Sequence, residues 1–314
     1  MRVRCRDTPC RDHPQGPGWT LRRETVHEAA ILDGDRQPKK GILMSALAGF
    51  QLAGTAPAAY ERYLVPAFRT TSQELITLGA LQRGERVLDV ACGTGIVARL
   101  AAAAVGSPGH TVGVDVNEGM LQIARAALPP PDGASLAWQH SDVTALPFAT
   151  GSFEVSFCQH GLEFFADRAA GLREIRRVLV PGGRLILRVW RSLEHQRFHP
   201  PVLTALERVM GGDAGAAIRA AFTLGDAAAL RALVVGAGFR QVHLRIAVNV
   251  LRYASLEAYV LGFLAAMPLA QAVAALPETA RLTLLQEVTT ALHAYVDDEG
   301  LAIPAESHVV LART

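Results

Sequence analysis

A glycine-rich turn preceded by a carboxylate is the segment of this 314-residue chain whose residue types and spacing best fit a chemical role. Residues 86–98 read RVLDVACGTGIVA, so an apolar run ends in Asp89, and the turn glycines Gly93 and Gly95 lead into a helical pattern. A buried parallel strand that passes through glycines into a helix presents free backbone N–H groups and the positive end of the helix dipole to a ligand. The segment therefore predicts a small-molecule binding site.

Two further carboxylates follow later strand-like segments. Asp115 ends the segment TVGVDV, where a carboxylate accepts hydrogen bonds from ribose hydroxyls. Asp142 follows residues 135–140, and there it could accept a hydrogen bond from an adenine amine. The spacing GxGxxA at 93–98 also fits a nicotinamide dinucleotide site. Asp89 favours a ligand with an ammonium group over a dinucleotide, because a negative charge at that position suits an ammonium group better than a pyrophosphate.

The apolar pattern predicts alternating strands and helices around this turn. Repeated strand–helix–strand units are typical of a parallel sheet covered by helices on both faces. We therefore predict an α/β chain with a doubly wound, mostly parallel sheet of seven strands and an added helical cap. The predicted strands are 86–90, 111–116, 135–140, 153–158, 184–190, 241–250 and 307–312. The predicted helices are 58–64, 71–81, 95–105, 119–128, 169–179, 202–210, 226–235, 255–265 and 279–296.

The chain divides into three predicted parts. Residues 1–43 are rich in Arg, Pro, Gly and Asp, and we expect a disordered leader there; translation that begins at Met44 is the alternative. Residues 44–195 form the predicted ligand-binding core. Residues 196–314 are mostly helical, and we expect them to cover the mouth of the site and to return two strands to the sheet. A Pro-Gly-Gly segment at 181–183 is predicted to be a turn before a strand.

Composition excludes several classes of protein. A hydrophobic content of 50% with 19% charged residues is typical of a folded globular enzyme, and a net charge of +2 gives no reason to expect a nucleic-acid partner. The four cysteines form no CxxC pair and no His/Cys spacing typical of a metal site, so we predict no metal. We find no run of 18 apolar residues and no signal-peptide pattern, which predicts a cytoplasmic protein without a membrane span.

In five segments the chain resembles the class I S-adenosylmethionine-dependent methyltransferases of the small-molecule type. The segments are VLDVACGTG (87–95), GVDV (113–116), SDVTALPF (141–148), FEVSFCQHGLEFF (153–165) and REIRRVLVPGGRLIL (173–187). The resemblance is strong over about residues 56–190. It implies a Rossmann-like fold, S-adenosylmethionine as cofactor, and an in-line displacement that moves a methyl group to a small-molecule acceptor.

By this resemblance, residues at the ends of the first four strands bind the cofactor. The first strand would serve the methionine portion, the second the ribose and the third the adenine, and the fourth would close the site. In that order the residues are Asp89 and the Ala91 carbonyl for the ammonium, Gly93 and Gly95 under methionine and ribose, Asp115 for the ribose hydroxyls, Val116 against adenine, Asp142 and Val143 at the adenine amine, and Gln159 for closure.

Catalysis and acceptor binding are less well marked. His160 is a candidate catalytic base, and Glu163 is a candidate to orient His160 or to bind substrate. A structural histidine and a solvated carboxylate are the alternatives. Tyr60 and Tyr63, spaced i, i+3 on a predicted helix, share a face and are candidates for the substrate site. Arg188 and Trp190, at the end of the fifth predicted strand, are further candidates for the pocket lining, with an internal sheet position as their alternative. The acceptor is expected to be a quinone, polyketide or other natural product, methylated on O, C or N.

Two other functions stay open at this point. One is a nicotinamide-dependent oxidoreductase, although the chain has no lysine after residue 40 for a Tyr-x-x-x-Lys catalytic group. The other is a non-catalytic homologue that keeps the cofactor-binding fold. The sequence leaves the oligomeric state open, and a homodimer is one of the arrangements it allows.

Overall fold

The computed structural model describes residues 52–212 and 214–314. The predicted leader at 1–43, the alternative start at Met44 and the first residues of the predicted core lie outside this described part. The boundary predicted at residue 195 stays a prediction, and strands from both sides of it belong to one sheet.

A single sheet runs through the described chain in the strand order β3-β2-β1-β4-β5-β8-β6. Strands β1 to β5 pair in parallel, whereas β8 is antiparallel to both β5 and β6. The strands are β1 Arg86–Val90, β2 His110–Asp115, β3 Ser135–His140, β4 Phe153–Gln159, β5 Leu179–Trp190, β6 Arg240–Tyr253, β7 Val296–Asp297 and β8 Gly300–Arg313. The doubly wound, mostly parallel sheet is confirmed. The predicted count of seven omitted β7, whose two residues pair only with β8 and are too few to show a period.

Helices cover both faces of the sheet. They are α1 Ala56–Ala59, α2 Val65–Gly79, α3 Ile96–Val105, α4 Glu118–Ala126, α5 Arg168–Val178, α6 His199–Met210, α7 Ala216–Ala220, α8 Ala227–Gly236, α9 Leu256–Ala266, α10 Ala270–Ala274 and α11 Glu278–Leu292. Side chains accept from free N–H groups in the first turn of four of them, which fixes where those helices begin. These capping residues are Asn117, Asp167, Asp226 and Ser255.

The strand β1 lies at the centre of the core. Val87 and Leu88 are fully buried and Val90 is 1% exposed, because helices pack on both faces of a parallel sheet. The run of apolar residues that predicted this strand therefore reflects burial on two sides. Its carboxyl end delivers Asp89 and the following glycine turn to the edge where the other parallel strands also end.

The segment before β1 differs from the prediction of two separate helices. Residues 56–79 form one continuous helical segment, in which a single π-helical turn at Tyr60–Leu64 joins α1 to α2. Pro66 follows this turn, and proline has no N–H and clashes with the carbonyl four residues earlier. The wider turn accommodates it, with the N–H of Val65 donating to the carbonyl of Tyr60. The shared face of Tyr60 and Tyr63, which assumed α-helical spacing, stays a prediction.

The Pro-Gly-Gly segment at 181–183 also differs from its prediction. It lies inside β5 rather than in a turn before it, and the pairing of β5 with β4 shifts register between Phe153 and Val155. Gly182 has a φ of 77°, a left-handed conformation that glycine adopts without strain. The strand is therefore longer than the apolar pattern indicated.

Across residues 52–212 and 214–314, no helix combines the length and the apolar character needed to cross a membrane.

We predict that Gly113→Ala in β2 will lower the free energy of unfolding by about 1–3 kcal/mol, because a Cβ there would overlap the Trp138 ring in β3. Urea denaturation followed by circular dichroism measures the change. Gly236→Ala at the end of α8 is the matched control, since its new Cβ meets no atom within 4 Å. Equal stability of the two variants would show that the Trp138 contact does not constrain the sheet.

Candidate active site

The carboxyl ends of β1 to β4 open into a cavity of about 320 Å³. Open α/β sheets bind ligands at this edge, where the free ends of the parallel strands converge. One wall consists of the turns after these strands, and the opposite wall consists of helices and strands from both ends of the described chain. The cavity therefore brings together residues that are far apart in the sequence.

The turn after β1 is held by the carboxylate at the end of β2. Asp115 Oδ2 accepts a 2.7 Å hydrogen bond from the N–H of Gly93, and its Oδ1 accepts a 2.8 Å hydrogen bond from the N–H of Asn117. Burial raises the pKa of the Asp115 carboxyl, while both N–H groups stabilise its ionised form. Each oxygen retains a second lone pair, so the carboxylate can also accept from a ligand.

The two turn glycines serve different purposes. Gly93 lines the cavity with a φ of 56°, and the atom nearest to a Cβ placed there is Met120 Cε at 3.8 Å. Gly95 does not line the cavity; a Cβ at this position would overlap the Trp138 ring. The absence of a side chain at Gly95 is therefore explained by packing within the protein.

The turn after β1 begins at Ala91, an alanine with a left-handed φ of 53°. This conformation costs a residue with a Cβ about 1–2 kcal/mol. Its Cβ faces Gly161, where a second Cβ would overlap it. Both residues line the cavity, so the close approach of these two backbones shapes its floor.

Asp89 is the most deeply buried acid of the site, at 1% exposure. Its Oδ2 accepts a 2.9 Å hydrogen bond from the N–H of Ala98 in the first turn of α3. Burial raises the pKa of its carboxyl to about 8, and the negative charge of Asp115 contributes in the same direction. This raised pKa favours the protonated form of the Asp89 carboxyl near neutral pH.

The end of β3 provides an exposed carboxylate. Asp142 accepts two 2.7 Å hydrogen bonds at Oδ1, from the N–H and the hydroxyl of Thr144, and caps a short 3₁₀ turn at Val143–Ala145. The Thr144 hydroxyl, followed by its N–H, holds the pKa of Asp142 below its usual range. Asp142, Val143 and Val116 all line the cavity.

Gln159 and His160 line the cavity at the end of β4. The amide of Gln159 lies 3.0 Å (Nε2) and 3.2 Å (Oε1) from the Ser72 hydroxyl on α2. The His160 ring stacks on Trp190, with centroids 3.9 Å apart and planes inclined by 12°. Glu163 lies behind this ring, fully buried and outside the cavity lining, with Oε1 3.6 Å from His160 Nδ1.

The three residues predicted for substrate binding are placed differently. Tyr60 lines the cavity, and burial raises the pKa of its phenol. Tyr63 lies outside the lining and packs against Gly262 of α9. Arg188 is 1% exposed and donates to Glu74 of α2 and to Asn249. It lies two residues before Trp190 on β5, at a point that α2 covers.

Apart from Trp190, the sequence did not point to the aromatic residues that form the opposite wall. These residues, which we call the aromatic chamber, are Phe68, Trp190, Phe198, Phe222, Tyr253, Tyr259 and Phe263. They come from elements between α2 and α9, and aromatic residues are only 6% of the chain. No spacing connects them, so only the tertiary structure brings them together.

The charged side chains that line the cavity in the described part of the chain are all acidic. Asp89, Asp115 and Asp142, which we call the acidic rim, lie at the ends of β1, β2 and β3, and no arginine or lysine joins them. Within the same residues, no three His, Cys, Asp or Glu side chains are grouped so that they could hold a metal ion. The rim suits a ligand that carries positive charge and hydrogen-bond donors.

Residues 88–187 match the family Methyltransf_11, described as a methyltransferase domain. This segment contains the acidic rim and the turn after β1. This segment is therefore a methyltransferase domain, and it is similar to the class I S-adenosylmethionine-dependent methyltransferases. The resemblance seen in the sequence is thereby confirmed, and the comparisons give no support to a nicotinamide-dependent oxidoreductase.

Relatives of the methyltransferase domain include two demethylmenaquinone methyltransferases. The chain is 40% identical over 104 residues to that of Clavibacter sepedonicus, which covers 33% of this chain and 40% of the relative. It is 36% identical over 113 residues to that of Listeria welshimeri, which covers 36% of this chain and 48% of the relative. The chain thus spans less than half of the length of these relatives.

Solved structures share the fold. The YcgJ protein from Bacillus subtilis superposes with a TM-score of 0.52 at 15% identity, over 78% of this chain and 98% of that one. Haemonchus contortus phosphoethanolamine N-methyltransferase 2, in complex with phosphomonomethylethanolamine and S-adenosylhomocysteine, gives a TM-score of 0.52 at 17% identity, over 83% of this chain and 57% of that one. These likenesses confirm a Rossmann-like fold and leave the acceptor open.

The buried carboxyl of Asp89 gives the methyltransferase domain a defined pH dependence. Between about pH 4 and pH 8 the folded protein holds a proton at Asp89 that the unfolded chain releases, so the stability that Asp89 contributes falls as pH rises. Asp89→Asn cannot ionise. We therefore compare the free energy of unfolding of the native protein with that of the variant. The native value minus the variant value should fall by at most about 1.4 kcal/mol per pH unit between pH 5 and 7.

Urea denaturation at several pH values measures this difference. Asp297→Asn is the control, because the hydrogen bond with Arg252 lowers the pKa of that exposed carboxyl; it is ionised in both the folded and the unfolded chain between pH 5 and 7, so its native-minus-variant difference should stay flat. A native-minus-Asp89→Asn difference that is flat, or that rises with pH, would mean that Asp89 is ionised in the folded protein.

The contact of Ala91 with Gly161 predicts a coupled pair. Gly161→Ala should lower the free energy of unfolding by about 1–3 kcal/mol, since the new Cβ would overlap that of Ala91 and lie 3.1 Å from Cys158 Sγ. Adding Ala91→Gly removes the opposing Cβ and should restore about 1 kcal/mol or more. Denaturation of the two single variants and the double variant gives the coupling, and simple additivity would disprove the contact.

Proposed function

We propose that this protein is an enzyme that transfers a methyl group from S-adenosylmethionine to a small-molecule acceptor. The observation that carries the proposal is the acidic rim, which includes no arginine or lysine. S-adenosylmethionine carries an ammonium and a sulfonium, whereas a nicotinamide dinucleotide carries a negatively charged pyrophosphate. Coulombic attraction therefore favours the former at this site.

The residues of the rim fit the parts of such a cofactor. We assign the ammonium to Asp89 and the Ala91 carbonyl, and the ribose hydroxyls to Asp115, which keeps free lone pairs. The left-handed turn at Gly93 leaves open space where a side chain would stand, so a ligand can approach the backbone there. These placements are supported by the chemistry of the donors and acceptors at each strand end.

The adenine end of the assignment uses the turns after β2 and β3. We assign the adenine amine to Asp142 and the backbone of Val143, and one face of the ring to Val116, which is 49% exposed in the ligand-free protein. A base stacked there would cover this apolar side chain. Gln159, held by Ser72, would close the site from β4. We leave Gly95 out of the ligand contacts, because Trp138 accounts for it.

When bound, the cofactor supplies a methyl group activated by positively charged sulfur. The protein's own contribution is to align the acceptor with that methyl group and to exclude water. The aromatic chamber provides both, since its rings surround the space next to the rim and expose little polar surface. Tyr60 lies between the two regions, with its ring 6.5 Å from that of Phe68.

The aromatic chamber favours a flat, apolar acceptor of the quinone type. Aromatic rings pack face to face or edge to face with such molecules, and each contact excludes water from the reacting atoms. The demethylmenaquinone methyltransferases among the relatives point to the same class of acceptor. We propose a small molecule rather than a nucleic acid, since no arginine or lysine in the described chain lines the cavity.

Asp115→Asn tests the cofactor assignment. Asparagine keeps one acceptor oxygen for the backbone but loses the second, so we expect S-adenosylmethionine to bind with about 1–3 kcal/mol less free energy. Isothermal titration calorimetry of the full chain with S-adenosylmethionine, S-adenosylhomocysteine and NAD measures this. We expect the native protein to bind the first two ligands and not NAD.

Asp297→Asn, which removes an exposed carboxylate far from the cavity lining, is the matched control and should bind like the native protein. Melting temperatures of all three proteins separate a lost ligand contact from a disturbed turn. Tight binding of NAD without binding of S-adenosylmethionine would refute the proposed function.

A further inference from the structure

His160 lines the cavity at a position from which its imidazole could act as a base on a bound molecule. It follows β4 at the carboxyl end of the strand, has a left-handed φ of 54°, and lines the cavity between the rim and the aromatic chamber. Trp190 stacks on one face of its ring, and Phe68 lies 6.0 Å from its centroid. The orientation of the imidazole is therefore fixed by packing.

The nitrogen Nδ1 of this ring is turned toward a buried carboxylate. Nδ1 is inaccessible to solvent and lies 3.6 Å from Glu163 Oε1, at slightly more than hydrogen-bonding distance. Nε2 is the nitrogen that remains for a molecule in the cavity. A base whose second nitrogen faces a carboxylate is the arrangement in which the carboxylate stabilises the imidazolium that forms.

The other contacts of Glu163 do not satisfy its buried carboxylate. Its side chain is fully buried, Oε1 accepts a 3.0 Å hydrogen bond from the N–H of Trp190, and Oε2 has no hydrogen-bond partner. A buried carboxylate with an unpaired oxygen is costly unless a cation forms beside it. Protonation of His160 would provide that cation, 3.6 Å away.

We propose that His160 is the catalytic base of the reaction and that Glu163 is its positioning residue, so that the acceptor is an aromatic hydroxyl compound. This inference rests on the proposed function. Nε2 takes the hydroxyl proton, and the electron pair of the O–H bond stays on the acceptor. That acceptor forms the bond to the methyl carbon through its oxygen, or through an ortho ring carbon that then loses its own proton to water. The electrons of the broken carbon–sulfur bond stay on sulfur.

Burial and two charged groups determine the pKa of His160. Burial lowers the pKa of its imidazole, Glu163 on the following 3₁₀ turn raises it, and Arg188 on β5 lowers it slightly. Arg188 is itself paired with Glu74 on α2. The aromatic neighbours Phe68 and Trp190 do not titrate. The neutral imidazole, which is the form that can accept a proton, therefore predominates at neutral pH.

The titration of His160 in the cofactor-free protein tests the dyad without any turnover. Carbon-13 NMR of labelled histidine, assigned by comparison with His160→Asn, follows its protonation. Glu163→Gln keeps an oxygen for the Trp190 N–H but removes the charge, so the His160 midpoint should move to lower pH. Glu194→Gln removes an exposed carboxylate beside His195 and should leave it unchanged. An unchanged midpoint in Glu163→Gln would overturn the positioning role.

Methylation of 1,4-dihydroxynaphthalene, followed by mass spectrometry, tests the base itself. His160→Asn is the chosen variant because asparagine tolerates a left-handed backbone. It should lose about 10²–10⁴-fold in kcat and bind S-adenosylhomocysteine within about twofold of the native protein by calorimetry. For the native protein, kcat/KM should decrease at pH values below the pKa of His160. In Glu163→Gln this decrease should begin at a lower pH. His110→Gln, remote from the lining, is the matched control.

The outcomes separate the two proposals. If the native protein fails to bind S-adenosylmethionine, the proposed function fails and the base with it. Cofactor binding without methylation of the naphthol by the native protein contradicts the acceptor class. Turnover by His160→Asn at close to the native rate contradicts the base alone and leaves the methyltransferase intact. Rescue of His160→Asn turnover by added imidazole would support the base further.

Discussion

The carboxylate of Asp115 connects the turn after β1 to the end of β2, and the geometry of the whole site depends on this bridge. Its two oxygens accept from the N–H groups of Gly93 and Asn117, at 2.7 Å and 2.8 Å. Buried N–H groups need partners, and a carboxylate is a side chain that can satisfy two and still accept more. The same interaction that gives the turn its shape therefore leaves acceptor capacity at the cavity.

Burial disfavours the ionised form of two carboxyls of the acidic rim, those of Asp89 and Asp115. Desolvation favours the protonated form of Asp89 near neutral pH, and the charge of Asp115 strengthens that effect. A cation at the rim would let both carboxyls ionise, and binding would then stabilise the folded state. The rim therefore favours a cation over an anion, because an anion would add repulsion to a site that is already desolvated. The same reasoning connects His160 with Glu163, where positive charge arises only during reaction.

The parts of the fold that the sequence predicted are those set by local patterns. The bounds of β1 and β3 agree with the prediction. The buried strand β1 is recorded as an apolar run, whereas β3 has no buried residue and is marked by the turn signals on either side of it. The ligand contact predicted for Gly95 stays a prediction, but the packing of Gly95 against the Trp138 ring from β3 could not be predicted, because no local pattern records that contact. The π-helical turn depends on Pro66, whose effect on the preceding backbone could have been inferred from the sequence. The residues of the aromatic chamber share no spacing.

The architecture separates the two halves of the site. The family match at 88–187 contains the acidic rim, whereas most of the aromatic chamber, from Trp190 to Phe263, lies after it. The parallel strands must end at one edge, so any chain with this sheet can keep the rim in place. The antiparallel β8 and the helices α6 and α9 have no such constraint, and their side chains can change without disturbing the turn at Gly93. Similarity confined to the matched segment therefore carries the donor chemistry to this protein, while the acceptor must be deduced from the chamber's own residues.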